Sequence, residues 1–219
     1  MNIRFTGSML FAAAICFWTS WVLMPGVGIT DAATILRLVG AQPDRVLASS
    51  VLQLISAALL ALAIPGLALR FNPPNDPWGR SAVALLAIGA CGDAADAIYH
   101  QLAYEMVRPG VDQAAMLPVM ERIQTADLPY LLPLIFAFLA GCIILAIDSA
   151  RSGIVAKWNP MLYALCLIVV VVGRVAGFQG RTMGMTCLGL LSVSLCWIGI
   201  AIGQPSEYKE VSVHVKARF

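Results

Sequence analysis

Six stretches of about twenty mainly apolar residues divide this chain, at 5–24, 46–69, 81–104, 128–147, 160–178 and 183–202. Each is long enough to carry a helix through a hydrocarbon layer roughly 30 Å thick. Inside lipid every backbone N–H and C=O must find a partner within the protein, which leaves helices and closed barrels as spanning structures. The stretches are continuously apolar and do not alternate, so helices are the reading. The sequence therefore predicts an all-α, polytopic transmembrane bundle of about six spans, one domain over 1–204, followed by a polar tail over 205–219.

Charge supports this. Charged residues make up 12% of the chain, against about 25% in soluble domains. The formal net charge of +2 comes without a basic run, so nucleic acid is not an expected partner. The first span follows Arg4. Trp18 and Trp21 stand where a cleaved signal peptide would carry small residues, so this span is read as uncleaved. All six cysteines fall within apolar stretches and no CxxC occurs, which points away from a disulfide framework or a structural zinc.

The connections carry their own signals. Pro25-Gly26 stops the first span, and Thr30 is expected to cap a short surface helix over 31–39 whose apolar contacts are Ile35, Leu36, Leu38 and Val39. Pro65-Gly66 is expected to kink or fray the far end of the second span. The longest connection, 105–127, contains Met116, Leu117, Val119, Met120 and Ile123, and an amphipathic helix lying over the bundle end is expected there. In the tail, Val211, Val213 and Val215 alternate with polar residues, a strand-like pattern too short to be stable alone. With both termini cytoplasmic, eight of the fourteen Lys and Arg residues lie on the inner side, which is the orientation expected from the positive-inside rule.

The third span is the exception to apolar character. It carries Asp93, Asp96 and His100, spaced three and four apart, so all three share one helix face. An ionisable group at the centre of a span costs about 2.5–3.5 kcal/mol on insertion scales and usually faces a protein interior or a wet cavity. The helix is otherwise rich in Ala and Gly, which suits close helix packing and a central place in the bundle. Asp96 and His100 have the spacing of a carboxylate that orients an imidazole, an arrangement for acid–base chemistry near neutral pH. Asp93 lies one turn away, and Arg174 in the fifth span is the candidate cation for the pair.

Asp93, Asp96 and His100 are thus the candidate catalytic groups. Glu105, Tyr104, Asp127, Arg174, Trp18 and Trp21 are the candidate substrate contacts. No metal or cofactor is expected, since a single intramembrane His is a poor basis for zinc or haem. No mid-span Lys, glycine-rich phosphate loop or GxSxG elbow is present. The spacing DxxDxxxH partly resembles the NDxxDxxxD motif of membrane-embedded aromatic prenyltransferases, a family that binds diphosphate through magnesium. Gly92 stands in place of the Asn and His100 in place of the last Asp, and no second aspartate motif follows, so that function is not adopted.

The reading that follows is a membrane-embedded acid–base enzyme of the isomerase, cyclase or hydratase type, with the lipid bilayer and a lipophilic small molecule as partners. The alternatives are an accessory subunit held by a membrane-protein partner, or a proton-linked carrier.

Overall fold

The computed structural model describes the backbone of residues 2–71, 77–175 and 180–204, and the side chains of all of these except 126–129, 174 and 175. The chain is an all-helical bundle: α1 (Ile3–Leu23), α2 (Ala32–Ala41), α3 (Pro43–Phe71), α4 (Pro77–Glu105), α5 (Gln113–Arg151), α6 (Met161–Val175) and α7 (Arg181–Gly203). Among the described residues, five helices have the length and apolar character to cross a membrane: α1, α3, α4, the Tyr130–Arg151 part of α5, and α7. The expected fifth span, 160–178, is represented by the 15-residue α6; residues 176–179 lie outside the described residues. The strand-like pattern of the tail also lies outside them.

Local chemistry sets the helix ends. Asp31, not Thr30, caps α2: its Oδ2 accepts from the Thr34 backbone N–H at 2.8 Å. Both residues belong to the capping set, and the one directly before the helix closes the contact. Pro43 opens α3, where its fixed φ suits a first turn. Asp112 opens α5 by accepting from the N–H groups of Ala114 and Ala115. At the end of α1, Arg45 and Arg181 both donate to the Val22 carbonyl, at 3.3 and 3.1 Å, and so satisfy an oxygen that the helix leaves free.

Two expectations about the connections are refined. Pro65, expected to kink or fray the end of α3, lies inside that helix, which continues to Phe71. The helix expected in the third connection is not separate from the fourth span: both belong to α5, which runs unbroken for 39 residues. At 1.5 Å per residue that is about 58 Å, well beyond a hydrocarbon core. Its leading part therefore extends past the membrane-spanning section and packs with α2. Met120 there is fully buried among Ile35, Leu36 and Val39 of α2, Ala103 of α4 and Met106 in the turn after it. This small second core caps the bundle end beyond His100.

The main core lies between α1, α3, α4, α5 and α7. Lipid tails are as apolar as leucine, so the spans are held together by close packing more than by burial. Gly7 of α1 shows this: a Cβ at that position would run into the Gly199 carbonyl oxygen and the Gly203 backbone of α7. The start of α1 and the end of α7 thus lie together at one end of the bundle. Between α4 and α5, a Cβ on Gly89 would lie 2.6 Å from the Phe138 Cα. This close approach brings α5 against the polar face of α4. By contrast, Leu167, Ile168, Val171 and Val172 of α6 are largely exposed, as lipid-facing side chains are.

Candidate functional site

The polar face of α4 turns inward, towards α3 and α1. Asp93 and His100 are 7% and 4% exposed, and the Asp96 side chain is 15% exposed. Facing them is a second polar stripe, Ser49, Gln53 and Ser56 on α3, all buried. Its spacing of four and three reverses the three and four of Asp93, Asp96 and His100, so the two stripes run side by side on neighbouring helices.

Gln53 joins the stripes. Its Nε2 donates to Asp96 Oδ2 at 2.6 Å, and its Oε1 lies 3.0 Å from His100 Nδ1. A carbonyl oxygen only accepts, so Nδ1 carries the hydrogen in this arrangement. His100 Nε2 then faces Asp96 Oδ2 at 3.9 Å, beyond hydrogen-bond reach. The aspartate and the imidazole are linked through an amide and not directly. Two rings pack on the imidazole: Trp21 edge-on with centroids 5.7 Å apart, and Tyr99 at 5.9 Å.

Asp93 sits about 18 Å along α4 from Glu105, near the middle of the helix. Ser56 and Gln53 are its polar neighbours, yet neither closes a hydrogen bond of good geometry, and both carboxyl oxygens are buried without a protein partner. The Trp21 indole N–H is in the same condition. A buried polar group left unpaired costs about 1–3 kcal/mol, so such groups need an explanation from their surroundings.

The surroundings are a cavity of about 210 Å³. Asp93, Asp96 and Gln53 form its polar side; Trp21, Phe17 and Phe138 contribute aromatic walls. An apolar protein cavity of about 150 Å³ is large enough for benzene. This one has room for about a ring and a short substituent.

The other expected contacts are distributed differently. Trp18 points to α7, where its ring packs on Gly189. Glu105 is exposed and accepts from Arg108 at 3.0 Å and Gln101 at 3.1 Å. Tyr104 is half-buried against the second core. The side chains of Asp127 and Arg174 lie outside the described residues. Gln53, Ser56, Phe17 and Phe138 were not among the expected site residues, although the polar pattern at 49, 53 and 56 is visible in an otherwise apolar span.

No protein-family model, no curated protein and no solved structure matches the chain. The chemistry of the site therefore rests on its own geometry. A small, largely apolar hollow bordered by a carboxyl group with no hydrogen bond to either oxygen is suited to moving a proton on or off a lipophilic guest.

Proposed function

We propose that this multi-pass membrane protein is an acid–base enzyme of the isomerase, cyclase or hydratase type, acting on a small lipophilic molecule that enters from the bilayer. One observation carries the proposal: Asp93 borders the cavity with neither carboxyl oxygen engaged by the protein. Asp93 is the group that exchanges the proton. Asp96 borders the same cavity and is oriented by Gln53. His100 acts through Gln53 as a positioning residue. Both termini lie on the cytoplasmic side in this reading, supported by the excess of Lys and Arg there.

The test uses full-length protein in mild detergent, incubated in deuterated water with an apolar extract of its host membranes. Proton exchange at carbon writes deuterium into the substrate, and mass spectrometry finds the labelled species by its added mass, whatever its structure. Wild type is expected to label a discrete compound. Asp93→Asn is expected to lose at least about a hundredfold in rate, the low end for removing a general acid–base group. No labelling by wild type sinks the proposal, as does equal labelling by the variant.

A second reading, a proton-linked carrier, is favoured by the position of Asp93 near the middle of α4. It predicts pH-driven uptake of an extract component into proteoliposomes without any chemical change in that component.

A further inference from the structure

The next inference rests on the acid–base reading and names its substrate class. Phe17, Trp21 and Phe138 border the cavity as a connected aromatic group, with ring centroids 6.2 Å apart for Phe17–Trp21 and 5.4 Å for Phe17–Phe138. Asp93 and Asp96 border it too, and no Lys or Arg among the described residues does. Aromatic faces and carboxyl groups attract positive charge, most strongly where water is excluded. A hollow with both, and with no cation of its own among the described residues, is complementary to a positive charge on an otherwise apolar guest.

We infer that the substrate is a small lipophilic alkene, and that the reaction shifts its double bond through a carbocation held between Asp93 and the aromatic group. The proton starts on one oxygen of Asp93. It passes to an alkene carbon; the π pair forms the new C–H bond, and the neighbouring carbon becomes cationic beside the carboxylate just formed. The other oxygen of Asp93 then takes a proton from the carbon on the far side of the cation. That C–H pair becomes the new double bond. The sum is a double bond moved by one position, with no oxidant or reductant consumed and the carboxyl group restored. This cycle uses both oxygens of one carboxyl, and Asp93 borders the cavity with no hydrogen bond to either of its oxygens. Asp96 is less suited, because its Oδ2 is held by Gln53.

A stable cation of the right shape mimics the intermediate, and tight binding of such mimics is the mark of a site built for the transition state. The probe is benzyltrimethylammonium; its control is 2,2-dimethylpropylbenzene, the same skeleton with carbon in place of the charged nitrogen. Thermal unfolding of the full-length protein in detergent is followed by circular dichroism with each compound. Effects of the probes on the micelle are shared by wild type and variants, so differences between them report the site.

The ammonium is expected to raise the wild-type midpoint by about 3 °C or more at saturation, and the neutral isostere by less than half as much. Asp93→Asn should abolish the ammonium shift. If that variant does not fold, Phe138→Leu carries the test: it keeps an apolar wall, removes a π face, and should at least halve the ammonium shift while leaving the isostere's unchanged. An isostere shift equal to or larger than the ammonium shift overturns the inference, and so does an ammonium shift unaltered in the variants. Deuterium labelling together with an isostere preference removes the carbocation and leaves the acid–base reading standing. Ammonium binding without labelling removes the acid–base reading, and this inference with it.

Discussion

Gln53 donates to Asp96 across 2.6 Å, and so ties α3 to α4 beside the cavity. The same side chain holds His100 at 3.0 Å with its carbonyl end. One neutral amide thereby satisfies an acceptor and a donor at once, and sets the tautomer of the imidazole.

Replacing Gln53 by Leu strips both partners together. Polar pairs between membrane helices average about 0.6 kcal/mol and reach about 1.7. Loss of two bonds that leaves a partly buried carboxyl group and a buried imidazole unpaired falls at the upper end, so Gln53→Leu is expected to lower stability by about 1–2 kcal/mol in SDS-induced unfolding. The Gln53→Leu, Asp96→Leu double variant should lose less than the sum of the two singles, since neither partner of that bond is then left behind. Strict additivity would mean that the bond contributes nothing.

Two glycines separate packing from chemistry. A Cβ at Gly7 meets the α7 backbone, and a Cβ at Gly89 meets Phe138. Neither neighbour is a flexible chain end, so helices must part in both cases, at about 1–3 kcal/mol for overpacking. Gly7→Ala and Gly89→Ala should both unfold at lower SDS. Only Gly89 borders the cavity. Gly89→Ala alone should diminish deuterium labelling and the ammonium shift; an equal loss in Gly7→Ala would place the effect in general destabilisation.

Cys166 of α6 and Cys187 of α7 are reciprocal neighbours. Each thiol lies near the other's backbone carbonyl, at 3.5 and 3.6 Å. Copper–phenanthroline should therefore join them, with the loss of two hydrogens, in the wild-type chain and in a variant keeping only these two of the six cysteines. The measurement is the mass of the peptide pair after non-reducing digestion. Failure to cross-link in that two-cysteine variant would show that α6 does not sit on α7 as described.

How much of this was legible in the sequence differs by scale. Hydropathy gave the bundle, because spanning length and apolar composition are fixed by lipid and not by neighbours. The inward face of α4 followed from the spacing of Asp93, Asp96 and His100. Gln53 escaped because it carries no charge and does not titrate, although its polarity is visible in the span; its value comes from standing opposite Asp96 and His100, which is a tertiary fact. Trp18 and Trp21 look equivalent in sequence, but α1 lies between α3 and α7, so one ring goes to Gly189 and the other to the cavity. The unbroken course of α5 was hidden by its prolines. They are local stop signals, and Met120 packing against α2 is among the contacts that hold the helix beyond them.

The cap of α2 gives a prediction in pH. Hydrogen bonds from Thr34, through its hydroxyl and its backbone N–H, hold the Asp31 carboxyl below the usual range for aspartate. A carboxyl depressed in the folded state adds stability above its unfolded value, near 3.9, and that contribution is lost as pH falls through the lower folded value. Asp31 is exposed, so the effect is local to α2. Amide hydrogen exchange over Ala32–Ala41, corrected for the intrinsic pH dependence of exchange, should keep its protection down to the ordinary aspartate range and lose it as the pH falls further into the acid range. Asp31→Asn keeps an oxygen that can cap the helix but does not titrate there. Its protection should stay flat over the same range, and a wild-type profile just as flat would remove Asp31 as the cap.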